Sequence, residues 1–160
     1  MTVSEAIEKI QKRINDNYDS GYPDEVIINY INDSIKYLAN ALITRNDPLL
    51  VKMIDIYSGQ VNPVPKNFVR FAGGLPVKRI GNEFILLSGD FIHAKYFYIP
   101  DEVANLDDVL PFENNDTYNA IIINLASIYA LNQHEFNVER DTVLRQELEQ
   151  IVTQALGAVE

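Results

Sequence analysis

Side chains that could carry out acid–base or metal chemistry are few in this sequence. It contains two histidines, His93 and His134, and no cysteine. General acid–base and zinc sites cluster such groups with carboxylates, and neither histidine is well partnered in the sequence. His134-Glu135 begins like a zinc-protease helix, but Val138 stands where the second histidine is required. We therefore expect His134 to have a structural role at a helix end.

Two other patterns could bind a ligand. Asp107 and Asp108 could hold a divalent cation, but the spacing and glycine of a calcium loop are missing, which favours a solvated connector. Gly73-Gly74 is followed by Leu-Pro and not by a helix with Lys-Ser/Thr, so it predicts a turn and not a phosphate loop. The sequence predicts no catalytic residue, no cofactor and no metal, and hence a protein that is not an enzyme.

A tyrosine-rich run, Tyr96-Phe97-Tyr98, could stack on nucleic-acid bases. Alternate residues of a strand face opposite sides, so Tyr96 and Tyr98 share a face, and packing is the favoured interpretation. The formal net charge of −10 also repels DNA at long range and argues against a sequence-reading DNA-binding domain.

The elements that would position these residues begin with two helices. Apolar residues at helical spacing, with Thr2 and Glu5 as a possible capping box, predict a helix over residues 2–16. Pro23, followed by two acids, predicts the start of a second helix over residues 23–44. This second helix is apolar around much of its girth, so we expect it to be covered on both sides.

The middle of the chain, residues 49–100, has the period of strands. Alternation from Val51 to Tyr57 predicts a strand, and Gly59 stops it. Gly81-Asn82 and Gly89-Asp90 predict hairpins between short apolar runs, so we expect one small antiparallel sheet.

An acidic connector over residues 101–115 then leads to two more helices, predicted at 116–134 and 138–158, with Asp116 as a candidate N-cap. The order predicts an α+β fold, mainly a bundle of about four helices with an inserted antiparallel β-hairpin sheet.

The length of 160 residues suits one domain. Absence of cysteine fits a reducing compartment, and the first residues predict neither a signal peptide nor a membrane span.

Charge is unevenly distributed along the chain. Residues 61–82 contain four bases and no acid, and residues 101–116 contain six acids and no base. The stretches could be two solvated loops, or they could meet on neighbouring subunits. On the second interpretation the subunit interface consists of Lys66, Arg70, Lys78, Arg79, Asp101, Asp107 and Asp108.

Three stretches in fixed order resemble one protein family. They are YPDEVIINYINDSIKYLANAL, VNPVPKNFVRFAGG and AKYFYIPDEVANLDDVLPFENNDTYNAIIINLASIYAL, which together span residues 22–131. The second has a strand, a Val-Pro turn and an aromatic-Val-Arg segment; the third has a tyrosine-rich strand ending at proline, an acidic spacer, Leu-Pro and a long apolar helix. The chain is similar in these respects to the head-to-tail adaptor (connector) proteins of tailed bacteriophages.

The resemblance implies a structural virion protein of the phage neck. Such a protein is made in the bacterial host cytoplasm and forms a homo-oligomeric ring of on the order of twelve copies. The ring connects the portal protein to adjoining neck or tail proteins and lines the channel, where it contacts passing DNA only passively. The spacer lacks the multiple prolines that often follow the tyrosine strand in the family. The resemblance therefore leaves open which ring of the neck the protein forms: the adaptor, the stopper or another layer.

The last helix carries a stripe of Leu148, Ile151, Val152 and Leu156, which we expect to dock on the portal. The alternative is that this stripe completes the four-helix core. Two other functions stay open: a cytoplasmic helical protein-binding module that acts through helix two, and a hydrolase with a carboxylate site at Asp107 or Asp108.

Overall fold

The computed structural model describes residues 1–14, 22–112, 115–132 and 138–157, except for the side chains of 138–141. The chain divides into two compact units. The helical unit comprises Met1–Ala41 and Asp101–Glu160, and the β unit comprises Leu42–Pro100. The described residues form four helices and two antiparallel three-stranded sheets, so the predicted α+β class is confirmed.

Helix α1, Val3–Arg13, begins with the predicted capping box. The Glu5 N–H donates to Thr2 Oγ1 at 3.2 Å, and the Thr2 N–H donates to Glu5 Oε2 at 2.9 Å. Each side chain satisfies a backbone donor that the first turn of a helix leaves without a partner. Of the apolar residues whose spacing predicts this helix, Val3, Ile7 and Ile10 are buried and Ile14 is half-buried. The end of the predicted helix, residues 15–16, lies outside the described residues.

Helix α2, Asp24–Thr44, matches the predicted bounds within one residue. Its main apolar stripe is buried: Ile27, Ile31, Ile35, Leu38 and Leu42. The second stripe is half-buried, and in it Tyr30 stacks on Tyr129 with ring centroids 6.3 Å apart.

Helices α3, Asp116–Leu131, and α4, Val138–Leu156, complete the helical unit. The predicted N-cap of α3, Asp116, is wrong by one residue, because Asn115 has extended backbone and its Oδ1 accepts from the Tyr118 N–H at 3.0 Å. Both residue types cap well, so composition alone does not distinguish adjacent candidates. The predicted ends at 134 and 158 lie outside the described residues.

The β unit has six strands, whose bounds follow: β1 Val51–Tyr57, β2 Asn62–Pro63, β3 Phe68–Phe71, β4 Val77–Ile80, β5 Glu83–Leu86 and β6 Phe91–Tyr98. They form two sheets with the orders β1-β6-β3 and β2-β5-β4. The expectation of one sheet is therefore wrong in this detail. A short 3-10 helix, Pro48–Leu50, precedes β1.

Turn chemistry explains why one predicted hairpin is found and the other is not. Gly81, with φ +60°, lies between β4 and β5, which pair as an antiparallel hairpin. Gly89, with φ +84°, also marks a reversal, but β5 and β6 belong to different sheets. A glycine with positive φ reverses the chain without determining which strands pair.

The core of the β unit contains Ile56, Phe84, Leu86 and Ala94, which come from both sheets. Phe68 lies edge-on to Phe84, with ring centroids 5.0 Å apart, and adds aromatic packing. No helix in the described part of the chain carries an apolar stretch long enough to cross a membrane.

Candidate assembly surfaces

Arg70, from the predicted basic interface, interacts with several groups inside the β unit, including the carbonyl oxygen of Phe71, to which its Nη1 donates at 3.3 Å. Its Nη2 donates to the carbonyl oxygen of Ile43 at 2.9 Å and to Asn46 Oδ1 at 2.8 Å, and its guanidinium carbon lies 4.5 Å from the centroid of the Phe97 ring. A planar guanidinium can stack on a ring while it donates at its edge. Arg70 is therefore held by its own chain, and a second subunit would have to compete with these contacts.

The other predicted bases are exposed on the β unit. Lys66 lies in the turn before β3, and Lys78 and Arg79 lie on β4. The Arg79 Nε donates to the carbonyl oxygen of Gly81 at 3.0 Å, which ties it to its own hairpin. Lys78 lies directly across from Ile85 of β5, so both point away from the core.

The carboxylates of the acidic connector have two different environments: one forms hydrogen bonds within the connector, and others are exposed. Asp108 Oδ2 accepts from the N–H groups of Ala104 and Asn105, both at 2.8 Å. These hydrogen bonds hold the pKa of Asp108 below its usual value, because they favour the charged form. Asp101 and Asp107 are exposed. Asp108 therefore stabilises the connector, and Asp107 lies on its surface.

Helices α1 and α2 hold the connector in place. The Val3 N–H donates to the carbonyl oxygen of Asp108 at 2.9 Å, and the Ser4 N–H donates to that of Leu106 at 3.0 Å. On the other side, the Asn32 side chain exchanges two hydrogen bonds with the backbone of Val103. Hence residues 101–112 form an ordered surface of the helical unit.

The predicted docking stripe on α4 is only partly accessible. Leu148 and Val152 are 4% and 3% exposed, whereas Ile151 and Leu156 are half-buried. Because α4 packs on α3, this burial favours the alternative in which the stripe completes the helical core. The main apolar stripe of α2 is also buried. The exposed positions of this helix include polar residues such as Asn29, Asp33 and Lys36.

Sequence reasoning missed the apolar side chains that the β unit exposes. Of thirteen exposed large apolar side chains among the described residues, nine lie in the β unit: Leu49, Met53, Tyr57, Val61, Val69, Ile80, Ile85, Leu87 and Phe91. One signal was available, because the run Phe84-Ile85-Leu86-Leu87 is apolar at successive positions and must place apolar groups on both faces of a strand.

His93 and the tyrosine run occupy the sheet β1-β6-β3. His93 Nδ1 contacts Asp55 Oδ1 across the β1–β6 pair, a partner that sequence spacing did not indicate. Tyr96 is buried in the core, 5.6 Å from the Phe68 ring, and Tyr98 lies under the Lys52 ammonium. These contacts show packing roles for both tyrosines. His134 lies outside the described residues.

A cleft of about 650 Å³ lies between α1 and α3. Lys9, Lys12 and Arg13 line one side, and the Arg13 guanidinium donates to Asn124 Oδ1 on the other. Lys12 also pairs with Glu8, and this contact lowers the pKa of Glu8. Across the described ranges, no group of three or more His, Cys, Asp or Glu side chains is arranged to hold a metal ion.

Comparison of the sequence with protein-family models gives no match, and comparison with curated proteins gives none either.

Proposed function

We propose that the chain is a structural protein of the neck of a tailed bacteriophage, where copies form a ring that joins the portal to the tail. The observation that carries this proposal is the concentration of exposed apolar side chains on the β unit. Single exposed apolar residues are ordinary on a monomer, but apolar groups gathered on a sheet face are typical of a protein–protein contact.

The outward face of the sheet β2-β5-β4 supports assembly most directly. Ile80 and Ile85 lie on adjacent strands, and their side chains are 52% and 44% exposed. Both lie on the face opposite the buried Phe84 and Leu86. Burial of such a face by a partner removes apolar surface from water and is favourable by about 25 cal/mol per Å².

The charge of the chain is consistent with a DNA channel. Binding to DNA gains free energy when basic groups release counterions from phosphates. With a net charge of −10, a ring of this protein would hold DNA weakly and let it slide. The order of elements that resembles the phage adaptors supports the neck location, and the proposal assigns the chain no catalytic step.

The test is electron microscopy of the purified chain, alone and mixed with the portal ring encoded in the same genome. We expect an added ring of density at the tail-facing end of the portal. A portal from an unrelated phage serves as the control, because a specific neck contact should not form with it. Portal rings that stay bare at saturating chain concentration would overturn the proposal.

A further inference from the structure

The two compact units carry formal charges of opposite sign. The β unit contains seven basic and four acidic residues, a charge of +3, and the helical unit contains six basic and nineteen acidic residues, a charge of −13. Opposite charges on two surfaces steer encounters between copies and suppress pairing of like surfaces. The β unit of one copy is therefore electrostatically matched to the helical unit of another.

The β unit presents an apolar surface suited to such a contact, which we call the outer patch. It consists of four exposed side chains: Val61 at 72%, Ile80 at 52%, Ile85 at 44% and Leu87 at 63%. On the same face, Lys78 lies directly across from Ile85 and Glu83 directly across from Ile80, so the positive charge of the outer patch is at the Ile85 end.

The acidic connector presents matching groups on the helical unit. Leu106 and Val109 are 43% and 45% exposed, and the exposed Asp107 lies between them in the chain. The backbone is fixed at both positions, because Leu106 accepts from the Ser4 N–H and Val109 bridges to Thr2. A surface that is already ordered loses little conformational entropy when a partner binds.

We propose that the connector of one copy docks on the outer patch of a second copy, with Leu106 and Val109 against Ile80 and Ile85 and Asp107 beside Lys78. The contact joins two different surfaces and is heterologous, so its repetition generates a ring if the rotation closes. Apolar burial provides most of the stabilisation, and the exposed ion pair sets the orientation. This inference rests on the proposed function, because it requires that copies assemble.

Disulfide cross-linking tests the contact, since the chain contains no cysteine of its own. Chains carrying Ile85→Cys and chains carrying Leu106→Cys are mixed and oxidised gently, with one kind labelled by isotope. Cysteines brought together at the contact will form a dimer with one chain of each kind, because a disulfide needs Cβ atoms about 4 Å apart. Met53→Cys is the matched control, because Met53 is 62% exposed on a strand of the other sheet.

A charge exchange gives a second measurement. Lys78→Glu and Asp107→Lys should each weaken self-association, measured by sedimentation velocity, and the two changes together should restore at least part of it. Ile85→Asp should weaken it at least tenfold, and Met53→Asp should not. Circular dichroism of each variant establishes that the fold is retained.

The outcomes separate this inference from the proposed function. If rings form on the portal but the Ile85 and Met53 mixtures cross-link equally, the proposed contact is wrong and the neck function stands. If the unmodified chain neither associates with itself nor binds a portal, both proposals are overturned. Selective cross-linking of the Ile85 mixture, together with rescue by the charge exchange, supports the contact.

Discussion

Asn32 and Val103 exchange two buried hydrogen bonds. The Asn32 Nδ2 donates to the carbonyl oxygen of Val103 at 2.9 Å, and the Val103 N–H donates to Asn32 Oδ1 at 2.9 Å. The side chain thus replaces the strand partner that the connector backbone lacks at this point. A buried backbone group without a hydrogen-bond partner destabilises the folded state. By satisfying both Val103 groups, Asn32 stabilises the attachment of the connector to α2.

Replacement of Asn32 by alanine should destabilise the helical unit by about 2–4 kcal/mol, because it leaves the Val103 N–H and carbonyl groups without partners. Chemical denaturation followed by circular dichroism measures the loss. Asn29→Ala, at an exposed position of the same helix, is the control and should change stability little. Equal stability of the two variants would show that water satisfies the Val103 groups.

Asn62 has a comparable role in the β unit. Its Nδ2, which carries two hydrogens, lies within hydrogen-bonding distance of three carbonyl oxygens, those of Tyr57, Gln60 and Phe84, at 2.9, 3.1 and 3.2 Å. Its Oδ1 accepts from the Tyr57 N–H at 2.9 Å. Tyr57 and Phe84 belong to different sheets, so one side chain connects the two.

Asn62→Asp should destabilise the β unit by at least about 2 kcal/mol, since it replaces the donor with a carboxylate that faces carbonyl oxygens. Hydrogen exchange of the amides in β1 and β5 should accelerate. Gln60→Ala, which leaves the Gln60 backbone carbonyl in place, provides the comparison. Unchanged exchange in the Asp variant would mean that Asn62 does not hold the sheets together.

Tyr129 makes the stability of the helical unit dependent on alkaline pH. Burial, followed by the nearby Asp33, raises the pKa of Tyr129 to about 12 from an ordinary value of 10.0. The folded state therefore holds this proton more tightly, and the stabilisation is complete below pH 10 and is lost as pH rises from 10 to 12. Two pKa units correspond to about 2.7 kcal/mol for a fully buried group. Because Tyr129 is only half-buried, we expect a smaller loss, on the order of 1–2 kcal/mol.

Tyr129→Phe should flatten the fall in stability between pH 10 and 12, measured by denaturation at a series of pH values. Tyr57→Phe, at an exposed position of the β unit, should leave the profile as it is. If the Tyr129 variant keeps the wild-type pH profile, other groups cause the loss of stability at alkaline pH.

Leu148 distinguishes the two functions considered for α4. Because Leu148 is 4% exposed within the chain, Leu148→Ala should lower the free energy of unfolding by about 2–5 kcal/mol. Val143→Ala, at a 51% exposed position of the same helix, should cost far less. If the Leu148 variant has normal stability but no longer binds a portal, the stripe on α4 is a docking surface and not part of the helical core.

Local sequence signals predicted the local structure well. The Thr2–Glu5 capping box, the span of α2 and the strand from Val51 to Tyr57 all depend on residues close in the chain, and all three are confirmed. The pairing of strands depends on distant residues, so the division into two sheets was not predictable from turn residues.

The candidate interface shows the same limit. Composition identified Arg70 and Asp108 as charged residues of two opposite stretches, but only three-dimensional contacts show that both are used inside their own units. The exposed face around Ile85 emerged only when the burial of Phe84 and Leu86 fixed which side of β5 is outward. The pattern predicts that one face is buried, whereas the fold decides which.

Native mass spectrometry of the chain mixed with the portal ring encoded in the same genome tests the central claim most directly. Each bound copy adds 18.2 kDa, so the stoichiometry can be counted. We predict a single complex in which a fixed number of copies, on the order of twelve, binds each portal ring, and no series of complexes with smaller numbers of copies. A portal that binds no chain, or a single copy only, would contradict it.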